Sequence, residues 1–224
     1  ATAAAPATQD EETTNGVIGI GRDGNAVDMD LWEYTFDDET GGYALNTEQV
    51  INREEKVAGY RGSVEEDGTI EGTVPQYIKV NDGEWTTVTS LYYTFQGHDE
   101  TTNRELTKLT TAPKIPTTVK SMKMTFEYCE SLTKVICVPG SVKELIWTFD
   151  GYTGLEEMPQ LGYGVEDMRG AFISCSELKK VSVLPNTVKN LENTFSGCSN
   201  LQEVPNIPNS VINMRQNIFR LYRT

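Results

Sequence analysis

A period of 23 residues constrains this chain more than any other feature. Val119, Val142, Val165, Val188 and Val211 stand 23 apart without a slip. Phe126, Phe149, Phe172 and Phe195 keep the same spacing, and Phe219 follows one residue late. A fixed period of this length marks a stacked array, in which each unit buries its apolar face only against its neighbours. Such an array offers extended surface and no deep cleft, which points to binding or structure more than to catalysis.

Further columns recur in register. Leu109, Leu132, Leu155, Leu178 and Leu201 open the units, and prolines stand at 116, 139, 185 and 208 with Gly162 as the exception. An earlier copy is visible from Val88 through Leu91, Thr94 and Phe95, and it rejoins the register at Leu109 after an insertion of about eight residues, which a surface loop tolerates. Proline fixes φ and removes a donor, so each unit is expected to give a short strand, a proline-forced stop, a second extended piece and a turn that drives Phe inward.

The pattern TF-x-G-C-x-x-L-x-x-V…P-x-S-V resembles the BspA-like leucine-rich repeat of bacterial surface proteins, over roughly residues 88–224. The resemblance implies a right-handed solenoid with a parallel sheet, display at the bacterial cell surface or secretion, and a role in adhesion or protein binding. It names no ligand. The third copy departs from the pattern, with Tyr152 in the Cys column and Gly162 and Gly164 in place of Pro and Ser/Thr, which predicts a looser rung.

Charge divides the chain at the same place as the period. The formal net charge is −14. Residues 1–87 hold 19 acidic side chains against 5 basic ones, whereas 88–224 hold 14 of each. The expected organisation is therefore a linker or mature N-terminus over 1–15, an acidic β-hairpin domain over 16–87 that could cap the array, and the repeats over 88–224. Asp-Gly pairs at 23–24, 67–68 and 82–83, with the DDETGG turn at 37–42, predict antiparallel hairpins. The stretch 47–56 reads as a short helix. Such acidity disfavours nucleic acid and anionic membrane surfaces, and no apolar run is long enough for membrane insertion.

The four cysteines are expected to be free thiols. Cys129, Cys175 and Cys198 share one column, and rungs about 4.8 Å apart suit buried small side chains better than disulfides. Cys137 is expected to pack inward as well. No cofactor or metal is implied. Asp23, Asn25, Asp28 and Asp30 lie close together, but their spacing breaks the alternation of a calcium loop. His98 is the sole histidine, in the inserted loop, and no nucleophile–base constellation is visible. An enzyme, perhaps a hydrolase, is the least favoured class.

Two columns bear on surface chemistry. Thr111, Lys134, Glu157, Lys180 and Glu203 alternate in sign from rung to rung, a pattern that fixes strand register. Tyr93, Met124, Trp147, Gly170, Asn193 and Gln216 form another column, aromatic and apolar in its first half. With the flanking Tyr92 and Ile146 it is the candidate ligand-binding patch, unless it packs against the acidic domain. The leading expectation is a non-catalytic module that binds a protein or glycan, possibly of host matrix. The alternative is a spacer or subunit of a surface appendage.

Overall fold

A computed structural model describes residues 16–46, 58–97, 104–151, 154–203 and 205–215. The helix expected over 47–56, the inserted loop with His98, and positions Tyr152 and Gln216 lie outside them.

The chain is mainly β and almost without helix. Its helical content among the described residues is two 3₁₀ turns, Met29–Leu31 and Arg104–Lys108. All four hairpins expected from turn signals are present. Strand β1 (Val17–Gly21) pairs antiparallel with β2 (Ala26–Val27), and β3 (Thr35–Asp37) with β4 (Gly42–Ala44). Val64 bridges Ile70 around the Asp67-Gly68 turn. Strand β5 (Pro75–Val80) pairs with β6 (Thr86–Ser90). Asp side chains stabilise these turns locally, as Asp23 does by accepting from the Asn25 backbone and Asp67 from that of Thr69.

The sheet is mixed, which corrects the expectation of a purely antiparallel N-terminal region. Its order is β2-β1-β5-β6-β4-β3, and β4 runs parallel to β6. The reason lies at Ser90. It pairs with Ala44 on one side and in parallel with Ser121 of the next repeat on the other. The β3–β4 hairpin thus adopts the direction of the repeats at the head of their ladder.

From Ser121 the parallel ladder continues through Glu144, Asp167, Asn190 and Asn213, one bridge per rung. Lys120 accepts two backbone N–H groups through one carbonyl, from Lys143 and Glu144, and Lys143 and Glu166 repeat the arrangement. On a second line, Thr111 bridges Lys134 and Glu157 bridges Lys180, while β7 (Cys137–Val138) and β8 (Gln160–Leu161) form a two-residue parallel pair. The continuous parallel sheet expected from the repeat is therefore reduced to single bridges and one short pair. Prolines on one flank and turns on the other leave one to two residues per rung free to extend.

The core follows the columns. Phe95, Phe126, Phe149, Phe172 and Phe195 stack with nearly parallel rings, successive centroids lying 5.3, 5.8, 5.1 and 5.8 Å apart. Beside them, the hydroxyls of Thr94, Thr125, Thr148 and Thr194 each donate to a backbone carbonyl of the preceding segment. The thiols of Cys129, Cys175 and Cys198 do the same towards Phe95, Phe149 and Phe172. The Thr hydroxyls beside four of these Phe residues, with the Cys thiols, satisfy carbonyls that the turns would leave under-bonded.

All four cysteines are free. Cys137, however, is exposed, because Val138 takes the inward position and strand neighbours alternate. Burial raises the pKa of the Cys129 thiol far above its ordinary value. Native-state labelling with a soluble disulfide reagent should therefore modify Cys137 at once, and Cys129 and Cys175 only on unfolding. Cys198 is partly exposed, so prompt reaction of Cys129 or Cys175 with the folded protein is the result that would contradict the inward column.

The third copy is tighter than its sequence suggests. A Cβ at Gly162 would collide with the Gly140 backbone nitrogen, and one at Gly164 with the Gly140 carbonyl. The two glycines admit a close backbone approach that proline or serine would block.

Candidate binding face

The repeats carry two columns of residues with left-handed backbone, the second starting one rung later than the first. The first column is Tyr93, Met124, Trp147, Gly170 and Asn193, at φ of 58, 50, 51, 63 and 55°. The second is Tyr128, Gly151, Ser174 and Gly197. In the first column the turn aims every N–H across to the next rung: Tyr93 donates to Lys123, Met124 to Ile146, Trp147 to Arg169, Gly170 to Glu192 and Asn193 to Arg215. The conformation is a requirement of stacking. For a side chain with a Cβ it costs about 1–2 kcal/mol, and glycine or asparagine bears it most easily.

These turns place the five residues singled out from sequence. Tyr93 and Ile146 are 5% exposed each. Tyr92, Met124 and Trp147 are half-buried and carry the accessible surface. The Tyr92 and Tyr93 rings lie 4.5 Å apart. Trp147 covers the Cα of Gly170, where any Cβ would strike its indole, and the Arg169 guanidinium sits 5.9 Å from the ring centroid. The structure thus brings Trp147 together with Arg169, an association that the column pattern alone did not reveal.

The alternating charge column yields one ion pair among the described residues. Lys180 lies 3.5 Å from Glu157, with both side chains 70% exposed, so the pair sets register and contributes little stability. A parallel column joins Lys143, Glu166 and Lys189, and the two lysines hold the Glu166 carboxyl below its usual range. Around Asp23 and Asp28 the carboxylates serve as turn and 3₁₀ caps. Among the described residues no group of three or more His, Cys, Asp or Glu side chains is placed to hold a metal.

Concavities among the described residues were not legible in sequence. A groove of about 1050 Å³ crosses three rungs, bordered by the exposed Ile136, Tyr163 and Val183. A smaller cavity of about 120 Å³ lies beside Tyr92, where the β3–β4 hairpin meets the first rungs.

Burial raises the pKa of the Asp150 carboxyl to about 6. The native state keeps its proton where the unfolded chain, near 3.9, has released it. Its stabilising contribution is therefore complete below about pH 4 and is lost as pH rises through about 6. Asp150→Asn should match the parent near pH 4 and be about 1 kcal/mol more stable at neutral pH, the half-exposed position reducing the full linkage value. Chemical denaturation of both proteins across that range checks the sign.

The model of the BspA type leucine-rich repeat region matches residues 104–223 in six copies. A leucine-rich repeat protein from Bacteroides ovatus ATCC 8483 of known structure is similar at 22% identity and a TM-score of 0.43. The match takes in 81% of this chain and 53% of that one, so the chain spans about half the length of that protein. No curated protein matches the chain. Among the described residues no helix is long and apolar enough to cross a membrane.

Proposed function

From the premise that this chain belongs to the BspA-type leucine-rich-repeat family, we propose that it is a non-catalytic binding module of the bacterial cell surface or the secreted fraction, recognising a protein or glycan. Residues 16–87 cap the first rung, and the repeats form a short solenoid whose flank at Tyr92, Met124 and Trp147 meets the ligand.

One observation carries the placement. Gly170 and Asn193 occupy the left-handed column in later rungs, so the fold accepts the residues that suit this backbone. Tyr93, Met124 and Trp147 bear the strain of the same conformation with large side chains. Strained backbone carrying bulky residues is a feature of functional surfaces, and aromatic anchors are what interfaces use for affinity. The other reading, a spacer or subunit of a surface appendage, draws on the regular ladder and requires no ligand.

The test is Trp147→Asn, which gives this rung the residue found at 193. Relief of the left-handed strain, about 1–2 kcal/mol, offsets loss of the Arg169 contact, about 0.5–1 kcal/mol. Stability should stay nearly unchanged while capture of matrix proteins or glycans on an array is lost. Equal capture by both proteins removes Trp147 from the face, and no capture by either favours the spacer.

A further inference from the structure

A cavity of about 660 Å³ lies where three segments meet: the β1–β2 turn, residues 69–74 ahead of β5, and residues 111–114 at the head of the second bridge line. Small-ligand sites occupy about 300–1,000 Å³. The floor is apolar, with Ile70, Val74 and Ala112 only 7%, 1% and 3% exposed. The rim is polar, formed by the exposed Arg22, Thr73 and Lys114 and the half-buried Thr111.

Arg22 is unusual for its surroundings. Residues 1–87 hold 19 acidic side chains against 5 basic ones, and in such a field a guanidinium is expected to find a carboxylate. Arg61 does so with Glu33. Arg22 instead borders the cavity with Lys114, and neither side chain forms an ion pair or a hydrogen bond among the described residues. Two cations bordering one cavity repel each other and are both stabilised by an anion placed between them.

The one carboxylate of the rim is taken up by its own turn. Asp23 accepts from the Asn25 backbone through one oxygen and from the Asn25 side-chain amide through the other. These two bonds hold the carboxyl below its usual range, with a smaller contribution from the charge of Lys114. Two uncommitted cations against one committed anion leave the rim with a net charge of +1. A carboxylate is an anion that a guanidinium recognises through two parallel bonds.

The rest of the lining narrows the ligand further. The Thr73 and Thr111 hydroxyls have no hydrogen-bond partner among the described residues, and each can both donate and accept. Sugar hydroxyls have the same dual character, and the C–H face of a pyranose ring matches an apolar floor. An acidic peptide side chain would use the two cations but leave these hydroxyls and the floor unfilled.

We propose that this cavity binds the carboxylate-bearing pyranose ring of a uronic acid. Arg22 and Lys114 take the carboxylate, Thr73 and Thr111 the ring hydroxyls, and Ile70, Val74 and Ala112 the apolar face of the ring. The site is separate from the aromatic flank at Trp147 and does not depend on it.

The intact chain is titrated with sodium glucuronate, with glucose and with the α-amide of N-acetylglutamate, by following the backbone amide signals of Thr73, Thr111 and Lys114. Glucuronate should shift these signals saturably. Glucose lacks the charge and the glutamate derivative lacks the ring, so each should bind about tenfold more weakly or worse. Arg22→Gln should weaken glucuronate binding about tenfold, the effect of one charge-assisted hydrogen bond. Asp23→Asn should strengthen it, because the substitution removes the anion of the rim and keeps an acceptor for the turn, and damage to the fold cannot produce a gain. Equal affinity in the parent and Arg22→Gln, weaker binding in Asp23→Asn, or glucose binding as tightly as glucuronate would each overturn the proposal. The glutamate derivative binding as tightly as glucuronate would also overturn it and assign the cavity to an acidic peptide. Trp147→Asn should bind glucuronate as the parent does, so failure here is separable from loss of array capture in that variant.

Discussion

Phe149→Ala should lower the free energy of unfolding by about 3–5 kcal/mol, the cost of truncating an aromatic ring in a core that cannot collapse around the void. Phe149 is fully buried and stacks on Phe126 at 5.8 Å and Phe172 at 5.1 Å, within 6° and 17° of parallel. Relaxation is restricted on every side. Thr148 beside it is tied by its hydroxyl to the Met122 carbonyl, and Cys175 by its thiol to the carbonyl of Phe149 itself. In a stacked array stability is close to a sum of rung terms and nearest-neighbour terms, so this one substitution weakens two interfaces. Against a typical total of about 5–15 kcal/mol, the loss should appear as a large drop in the urea midpoint with a smaller change in its slope. A midpoint near that of the parent would mean that the Phe column is not the core.

Much of this was legible in sequence because the repeat multiplies each signal. One Phe among small polar residues says little, whereas Phe126, Phe149, Phe172 and Phe195 at a constant interval define a stacked core before any coordinates. The hairpins were legible for a different reason: Asp-Gly and DDETGG turns encode their own geometry in a few residues. Three features resisted reading. The single-bridge width of the ladder depends on where left-handed residues fall, and Tyr93, Met124 and Trp147 are not residues from which positive φ would be inferred. The parallel pairing of β4 with β6 depends on the insertion of a hairpin beside Ser90, a long-range event with no local signature. Gly162 and Gly164 read as gaps in a pattern, but their role is contact with Gly140, visible only when rungs are superposed. The candidate face was legible as a column. Its neighbouring cavity was not, since Asn46 and Glu144 are nearly a hundred residues apart in sequence.

Trp32→Ala should cost about 3–5 kcal/mol, and the place where that cost appears decides what the acidic N-terminal region does. Trp32 is 4% exposed and meets Phe95, the first ring of the stack, edge-on at 5.9 Å. Tyr60 lies 5.0 Å from Trp32 and 5.7 Å from Phe95, with its hydroxyl 2.9 Å from the Ser63 and Glu71 carbonyls. The Phe column therefore ends against a Trp–Tyr pair instead of water, and the backbone ladder ends against β4 through Ser90. An uncapped first rung would expose both an aromatic face and a row of unpaired backbone groups. If residues 16–87 act as the cap, removal of the indole should reduce hydrogen-exchange protection in the Ser121–Phe126 rung and, more weakly, in the Glu144–Phe149 rung, because each rung is stabilised by the one before it. If they form an independently stable unit, the loss of protection should stop at Ser90. The graded loss is the expected result, since one contiguous apolar cluster runs from Trp32 through Phe95 to Phe195.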